Sequence, residues 1–374
     1  MQKTDSLTTH HFIAKNQSAY LSHLKDNLPQ DECIILLDFA ENFSFVVQDA
    51  AQGFHWDNSQ ATLHPFVFYF KNSQSNQLEV KSVCVISDHL KHDTATVHTF
   101  QHKIMPLVKS ACPQLAKITY FSDGAASQYK NYKNFSNLCH HEQDFGVTAE
   151  WHFFATSHGK SPCDGVGGTV KREAAKKSLQ ATMTGHILTP MDLYTWAVNS
   201  IEGIEFLFCS KDEVQIHSDE LTDRFDLAHT VSGTRDNHCY KPVGLGTLHV
   251  SRISADDTFF TAKVSDEEDI SVTAAVEPPQ EYKPGQYIAC MYDGHWWLGN
   301  IIELDHDQDD IKVTFMHPCG PASTFRWPRR EDICWVPTGH ILAVIDLSTA
   351  TGRQYTIDSQ TAVKVTENLH GLMQ

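Results

Sequence analysis

The sequence has no long apolar run, no paired-cysteine motif and no excess of positive charge. No stretch approaches the roughly 18–20 apolar residues of a membrane span, and the polar N-terminus lacks an apolar signal core, so we expect a soluble intracellular protein with no membrane contact. Its 10 cysteines include no CxxC pair, which favours reduced thiols over disulfides. The net charge of −17 excludes a protein that coats nucleic acid through bulk positive charge.

Two short apolar runs that end on an aspartate stand out in what remains. Ile34–Leu37 precedes Asp38, and Ile118–Ser122 precedes Asp123. Both runs are rich in β-branched or aromatic residues, which is typical of buried strands. Two such strands side by side would present a pair of carboxylates, the ligands that Mg²⁺ prefers. Each aspartate taken alone is more often a turn cap, so the order of the surrounding elements decides the interpretation.

That order predicts an α/β fold. Before residue 113 the patterns predict a helix over 10–28, three or four strands between 33 and 86, and a helix over 93–112. After it they predict the strand before Asp123, a helix over 128–138, a strand over 148–156, a helix after 165, and then helix, strand and helix within 190–235. Ribonuclease-H-like folds use the order three strands, helix, strand, helix, strand, helix, and their first and fourth strands are neighbours. We therefore expect a ribonuclease-H-like mixed sheet flanked by helices, with Asp38 close to Asp123.

Two acids compete to be the third metal ligand, Asp164 and Glu173. They are nine residues apart, so on a helix they point in opposite directions, and only one can face the site. Asp164 is preferred because it starts a helix after a loop of small residues, although it can also be a simple N-cap. Glu173 shares a face with Val166 and Val170 and is the alternative. Three carboxylates around two Mg²⁺ or Mn²⁺ ions would support in-line phosphoryl transfer.

Amide and cationic side chains near these acids are candidates for contacts with the DNA backbone. They are Gln128, Lys130, Asn131, His158, Lys160, Lys171 and Arg172. A solvated helix face is the alternative for the last two. A loose group of Cys and His residues in the same region matches no standard structural zinc spacing, and buried thiols and surface histidines explain it more simply. Its members are Cys139, His140, His141, His152, His158 and Cys163.

The chain divides into five predicted parts. They are an N-terminal helix (1–30), the ribonuclease-H-like domain (31–235), a polar linker (236–280), a small all-β unit (281–345) and a C-terminal tail (346–374). Short strands separated by tight turns in 281–345 predict an SH3-like or Tudor-like barrel. Five of its aromatic residues are candidates for a pocket that binds a methylated side chain, although such residues more often fill the core. They are Tyr292, Trp296, Trp297, Phe315 and Trp327.

Three segments resemble the core of transposon-derived proteins of metazoan genomes, which are similar to DDE/DDD transposases of the ribonuclease-H-like superfamily. The segments are Leu37–Asn42, Phe121–Asn131 and His158–Arg172. In a related bacterial group the third acid lies seven residues before a Lys-Arg pair, as Asp164 does before Lys171-Arg172. The resemblance covers about 10–235, and 282–345 resembles the Tudor/SH3-like tail such proteins can carry.

The resemblance implies Mg²⁺-dependent DNA cleavage or strand transfer by a nuclear protein that is a homo-oligomer when active. A complete transposase also carries a site-specific DNA-binding module, and nothing before residue 31 can supply one, so we expect a truncated or domesticated copy. The alternative is a catalytically inactive remnant that binds a peptide or a histone tail through its barrel.

Overall fold

The chain forms two compact units. The structure, a computed structural model, describes residues 2–45, 59–155, 161–181, 186–266, 282–292, 295–319, 324–345, 347, 349 and 354–372. Unit 1 comprises 1–229 and 237–268, and unit 2 comprises 230–236 and 269–374.

A ten-stranded mixed sheet forms the centre of unit 1. Its strands are β1 (Glu32–Leu37), β2 (Ala40–Ser44), β3 (Gln60–Lys71), β4 (Leu78–Ser87), β5 (Lys117–Ser122), β6 (Thr148–Phe153), β7 (Ile204–Cys209), β8 (Cys239–Gly244), β9 (Thr247–Ser251) and β10 (Phe260–Lys263). The order is β10-β9-β8-β6-β5-β1-β3-β4-β7, and β2 pairs with β3 beside this path. The sheet is buried at its centre, where Ile34, Ile35 and Phe68 are fully enclosed.

The strand that precedes Asp123 is a neighbour of the strand that precedes Asp38, as predicted. β1 and β5 are parallel, and β1 is antiparallel to β3 on its other side. Four strands precede the first internal helix, but the short β2 lies to one side and does not separate β1 from β5. Because parallel strands end at the same edge of a sheet, both aspartates lie at one edge.

Helices flank this sheet. In unit 1 they are α1 (Gln2–Asp26), α2 (Thr94–Ala111), α3 (Tyr132–Cys139), α4 (His141–Phe145), α5 (Pro162–Gln180), α6 (Pro190–Ser200), α7 (Lys211–Glu220) and α8 (Thr222–Asp226). The local sequence determines where several helices start, because Ser161, Thr189 and Ser210 are each the N-cap residue of a capping box. In each box the acidic side chain of the third helical residue accepts a hydrogen bond from the backbone N–H of the N-cap residue.

The segment predicted to be a linker, 236–280, contains β8, β9 and β10, so that part of the prediction was wrong. β8 pairs with β6 at Trp151↔Tyr240, and the Tyr240 ring stacks on Phe135 with centroids 4.1 Å apart. Polar residues around these short strands conceal an alternation of buried side chains, Leu248 and Val250, that belongs to a sheet. Residues 267–281 lie outside the described part.

Helix α1 is attached to unit 1 through Gln17, which is fully buried. The Gln17 amide donates to the carbonyl of Phe153 (2.9 Å) and to Ser254 Oγ (2.8 Å), and its oxygen accepts from the Ser254 backbone N–H (2.8 Å). His152 links the same serine to the Glu150 carboxylate, at 2.6 Å and 3.0 Å. A buried polar group costs free energy unless it is hydrogen-bonded, and here the partners come from β6 and from Ser254, which follows β9.

Unit 2 contains a five-stranded antiparallel sheet and a smaller three-stranded one. The larger sheet comprises β11 (Tyr287–Tyr292), β12 (His295–Asp305), β13 (Asp310–Phe315), β16 (Ile333–Pro337) and β17 (Ile341–Val344), and the smaller one comprises β14 (His317–Pro318), β15 (Thr324–Arg326) and β18 (Tyr355–Thr356). The predicted tail forms helix α9 (Ser359–Leu372), whose Val365 and Leu369 are buried against the core of this unit. Treating 346–374 as a tail was therefore wrong.

All 10 cysteines are free thiols, and only Cys319 and Cys334 are not fully buried. In the described part of the chain, no helix combines the length and the apolar character that a membrane span requires.

Candidate metal and nucleic-acid site

Asp38 and Asp123 extend the paired ends of β1 and β5. The register Leu36↔Phe121 places each aspartate two residues beyond the last bridged pair. The Asp38 backbone N–H donates to the carbonyl of Pro65 (3.3 Å), which keeps Asp38 against β3. One Asp123 carboxylate oxygen accepts from the backbone N–H of Ala125 (3.1 Å), so the turn after β5 orients this side chain.

Asp164 reaches the same edge from the first turn of α5. It is the acid of the capping box: its Oδ2 accepts from the Ser161 backbone N–H at 3.0 Å. The capping role considered from the sequence is therefore real, and it leaves Oδ1 available for another contact. Gly167 brings α5 close to the sheet, because a Cβ there would lie 2.9 Å from the Ala40 Cβ. A glycine in this register lets Asp164 approach the strand edge.

Electrostatics show that the three acids share one environment. Burial, followed by the charges of Asp123 and then Asp164, raises the pKa of Asp38 to about 7 in total, although a hydrogen bond from the Phe39 backbone opposes the shift. Burial also raises the pKa of Asp123. The hydrogen bond from the Ala125 backbone N–H lowers this pKa, and the charge of Asp164 raises it. Carboxylates that destabilise one another's ionised forms are the oxygen donors that a hard divalent cation would neutralise. The donor set therefore fits Mg²⁺ or Mn²⁺.

A cavity of about 320 Å³ adjoins these acids. Asp38, Glu41, Asp164 and Lys171 line it, whereas Asp123 lies outside its lining. Lys171 shares a face with Asp164 because seven residues are about two helical turns. Burial lowers the pKa of Lys171, and Glu41 opposes this shift. Glu41 was not identified as a site residue from the sequence, although it stands three residues after Asp38.

The alternative ligand, Glu173, lies about 13 Å further along the axis of α5 than Asp164. Its carboxylate accepts from Arg172 Nε at 3.3 Å and lies 4.0 Å from Lys176 Nζ. Asp164 acts on the pKa of both Asp38 and Asp123, whereas Glu173 acts on neither. Of the two candidates, the structure brings Asp164 into the group.

A buried aromatic and polar layer lies behind Asp38. The Tyr129 hydroxyl and His64 Nε2 are 2.8 Å apart, and both side chains are fully buried. Phe39 lies between His64, at 4.2 Å edge to face, and His92, stacked at 4.1 Å. Burial raises the pKa of Tyr129 well above its usual value, and Asp38 and Asp123 raise it further. A signal for His64 existed in the sequence, as a polar residue within the apolar strand β3.

Two predicted DNA contacts are buried instead. Asn131 caps α3, accepting from the Asn134 N–H (3.0 Å), and its amide donates to Thr94 Oγ1 (2.9 Å) and to the Ala126 carbonyl (2.6 Å). The Lys130 side chain is only 5% exposed and lies over the Phe153 ring at 5.4 Å. For these two residues the prediction was wrong, because the turn after Asp123 folds back onto α2 and the sheet.

The other candidate contacts have different surroundings. Gln128 is half-buried, and its backbone carbonyl accepts from Thr94 Oγ1 (3.1 Å). Arg172 is exposed and donates to Glu173 and to Thr169 Oγ1, at 3.3 Å each. His158 and Lys160 lie outside the described residues.

The members of the loose Cys and His group that the structure describes, all except His158, do not converge on one point. His141 contacts the Tyr120 hydroxyl (3.0 Å), His140 Nδ1 contacts the Ser136 carbonyl (2.8 Å), and His152 contacts Glu150. Cys139 donates to the Thr247 carbonyl, and Cys163 is buried near Asp38.

The five aromatic candidates of unit 2 do not form one pocket, so that prediction was wrong. Trp296 and Trp327 pack against one buried cluster, and Trp297 packs with Phe315 against another. Trp296 and Trp297 are consecutive in β12, and successive side chains of a strand point to opposite faces. Tyr292 is 49% exposed. A separate cavity of about 340 Å³ is lined by Thr314, Trp327, Pro328 and Glu331.

Comparison with known proteins places unit 1 in a family. A family model described as "Domain of unknown function (DUF8701)" matches residues 17–254, which include Asp38, Asp123, Asp164 and the strands β8 and β9. No curated protein and no solved structure matches the chain. Because the match spans more than half of the 374 residues, the chain belongs to the DUF8701 family.

Proposed function

We propose that the chain is a transposon-derived DDE/DDD-type protein of the ribonuclease-H-like superfamily that cleaves DNA or transfers a DNA strand with Mg²⁺ or Mn²⁺. The observation that carries the proposal is the shared environment of Asp38, Asp123 and Asp164 at the end of two parallel strands, with the pKa of Asp38 raised to about 7. Strongly shifted carboxylates beside a cavity are typical of functional sites.

The topology supports the same proposal. The five strands β4-β3-β1-β5-β6 are consecutive in the sheet. Strand β1 is the parallel neighbour of β5, the strand that follows α2. This is the neighbour relation expected of ribonuclease-H-like folds. Helix α5, which follows the last of these strands, carries the third acid, as the resemblance to DDE/DDD transposases implies.

The side chains have distinct roles in this proposal. Asp38, Asp123 and Asp164 hold the metal ions, and Lys171, on the cavity wall, binds a phosphate of the scissile strand. When bound, two divalent ions supply Lewis-acid stabilisation of the attacking and leaving oxygens. The turn that buries Lys130 and Asn131 orients Asp123.

A local basic surface would bind the DNA, since the chain as a whole carries a net charge of −17. Exposed cations of α5, Arg172, Lys176 and Lys177, follow Lys171 along this helix. Contacts of this kind with phosphates are sequence-independent and weaken steeply with salt. Because DNA is the proposed substrate, we also propose that the protein is nuclear and that its active form is a homo-oligomer.

The proposal is tested by cleavage of labelled duplex DNA in Mg²⁺ and in Mn²⁺. We expect D38N, D123N and D164N each to reduce cleavage at least about 100-fold, because each removes a charged metal ligand. The matched control is E173Q, which removes a carboxylate from the same helix and should keep activity. Titration calorimetry with Mn²⁺ should show binding to the wild type and none to the D38N/D123N double variant.

Cleavage that persists in D123N would contradict the proposal. Cleavage lost equally in E173Q and D164N would contradict the choice of Asp164 as the third ligand.

A second function is favoured by the cavity of unit 2. Trp327 and the carboxylate of Glu331 line it together, a combination that suits a cationic methylated side chain through cation–π contact and charge. In this alternative the metal site is inactive, and unit 2 binds a peptide or a histone tail. Peptide binding should then survive D38N/D123N and be lost in W327A, whereas Y292A, which changes an exposed aromatic outside the cavity, should keep it.

A further inference from the structure

Three histidines on two helices of unit 1 converge at a place unrelated to the acidic site. His98 and His102 are one turn apart on α2, and His217 lies on α7. One ring nitrogen of each lies within 4.8 Å of the others. The His102 and His217 rings are stacked with centroids 4.7 Å apart, and the His98 and His102 rings are 4.8 Å apart. Histidines at i and i+4 present their rings on the same helix face.

The hydrogen bonding of His98 provides an independent observation. Its side chain is 4% exposed, and its Nε2 lies 3.0 Å from Asp144 Oδ2. Its Nδ1 is buried and has no hydrogen-bond partner. Since an ionised carboxylate only accepts, Nε2 carries the proton and Nδ1 presents a lone pair. A buried polar atom without a partner is costly, and a bound cation would satisfy it.

The surroundings of the cluster match those of a histidine metal site. A metal-binding histidine usually donates its other ring N–H to a carboxylate, the relation between His98 and Asp144. Arg224 donates to Asp144 from its two terminal guanidinium nitrogens (2.7 and 2.8 Å), so this neighbouring cation is paired. The Nδ1 of His217 faces Glu220 Oε2 at 3.2 Å, which leaves its Nε2 for the cluster.

We propose that His98, His102 and His217 bind one Zn²⁺-like transition-metal ion that ties α2 to α7. Three imidazoles suit zinc and its neighbours in the first transition row, whereas Mg²⁺ requires oxygen ligands. Tetrahedral geometry with Zn–N bonds of about 2.0–2.1 Å places the nitrogens about 3.3 Å apart. The stacked His102 and His217 rings must therefore turn, so that their in-plane lone pairs meet at one ion. A water molecule takes the fourth position. The ion pair between Lys103 and Glu213 already joins the same two helices.

The test is a Zn²⁺ titration of the D38N/D123N double variant, in which the acidic site cannot contribute. We expect one equivalent to bind, and saturating Zn²⁺ at 100-fold excess over Kd to raise Tm by about 5 °C or more. Adding H102Q or H217Q should weaken binding at least about 100-fold, since even loss of an outer-shell partner costs 10- to 100-fold. Both residues are half-buried and lie on different helices, so each variant checks the other. H306Q, at an exposed histidine of unit 2, is the control and should bind normally.

Cobalt(II) distinguishes this site from the thiols. Co²⁺ bound by three imidazoles should show ligand-field bands without a thiolate charge-transfer band, and H102Q should remove them. Unchanged Zn²⁺ affinity in both H102Q and H217Q would overturn the proposal. So would a thiolate band, or failure of the double variant to bind Zn²⁺ below millimolar concentration. None of these results depends on DNA cleavage, so the two proposals fail separately.

Discussion

Asp38 is the residue at which folding and the proposed chemistry conflict most directly. It lies at the end of a fully buried strand, with the carboxylates of Asp123 and Asp164 near enough to raise its pKa. In an unfolded chain the same group has a pKa of about 4. The folded state therefore binds this proton more tightly, and the contribution of Asp38 to stability is greatest below pH 4 and declines as the pH rises towards 7.

Removing this charge should stabilise the metal-free protein. At pH 8, D38N should raise the free energy of unfolding by about 2 kcal/mol, because the variant has no charge to bury beside two others. The gain should shrink as the pH falls to 5, where the wild-type carboxyl is largely protonated when folded. Denaturant titrations in EDTA at both pH values measure the effect.

With saturating Mg²⁺ in place of EDTA, the difference in the free energy of unfolding between D38N and the wild type should vanish or change sign, because the cation stabilises only the wild type. E173Q, at a carboxylate already paired with Arg172, should show no comparable gain. A D38N variant that is less stable than the wild type at pH 8 without metal would refute this account of Asp38.

Helix α5 links the third acid to the sheet, and its glycines are not equivalent. A Cβ on Gly167 would meet the Ala40 Cβ at 2.9 Å and the Pro65 Cγ at 3.5 Å, whereas a Cβ on Gly165 would meet nothing within 4 Å. The capping box at Ser161 and the close approach at Gly167 together set the position of Asp164. Packing of the helix thus determines the geometry of the site.

G167A should destabilise unit 1 by about 1 kcal/mol, because overpacking against β2 outweighs the helix propensity gained by replacing glycine. It should also weaken Mn²⁺ binding by displacing Asp164. G165A, in the same helix turn but in open space, should be neutral or stabilise by up to about 1 kcal/mol. Urea midpoints measure stability, and calorimetry measures Mn²⁺ affinity. Equal effects of the two substitutions would show that the contact with Ala40 is unimportant.

In the molecule as a whole, sequence order and structural units do not coincide. Residues 230–236 belong to unit 2, and 237–268 return to unit 1. Arg235 shows what this short segment contributes: its Nε donates to the buried Asp310 (2.6 Å), another guanidinium nitrogen donates to Asp305, and the guanidinium stacks 4.3 Å from the Trp335 ring centroid. Unit 2 is therefore incomplete if the chain is cut at the predicted start of the all-β unit, residue 281.

R235Q should destabilise unit 2 by about 2 kcal/mol at pH 8, because it leaves the Asp310 carboxylate buried without a cation. Burial, the largest influence, already raises the pKa of Asp310 to about 6 although Arg235 opposes it. At pH 5 the folded variant holds this carboxyl protonated, so the loss should be smaller. Amide hydrogen exchange of β13 and β16 reports on this unit directly.

K312Q is the matched control for R235Q. Lys312 also lies over the Trp335 ring (5.4 Å), but its ion pair with Glu303 is half-exposed. Such surface pairs contribute less than about 1 kcal/mol. Loss of protection in K312Q equal to that in R235Q would assign the effect to the aromatic contact and not to Asp310.

Local patterns identified most elements of unit 1 up to residue 226, but they began α1 at residue 10 instead of 2, began the third strand at 66 instead of 60, and missed α4. They failed beyond 236, because β8 to β10 are short and polar and become strands only through pairing: β8 pairs with β6, β9 with β8, and β10 with β9. They also failed for Lys130 and Asn131, which are buried against residues distant in the chain: Lys130 lies over the Phe153 ring, and the Asn131 amide donates to Thr94 Oγ1. The His98, His102 and His217 cluster needed the packing of α2 on α7, since only the i, i+4 pair is visible in the sequence.

The sequence alone was enough to indicate the α/β class, the two strands that end at Asp38 and Asp123, and the helix start at Asp164. These follow from hydrophobic periodicity and capping, which act over a few residues. The folded chain settled what depends on distant partners: which acids share an environment, which cations are buried, and which aromatic side chains lie on the same face. Those outcomes depend on register and on helix packing, because a shift of one residue in a strand moves every side chain to the opposite face.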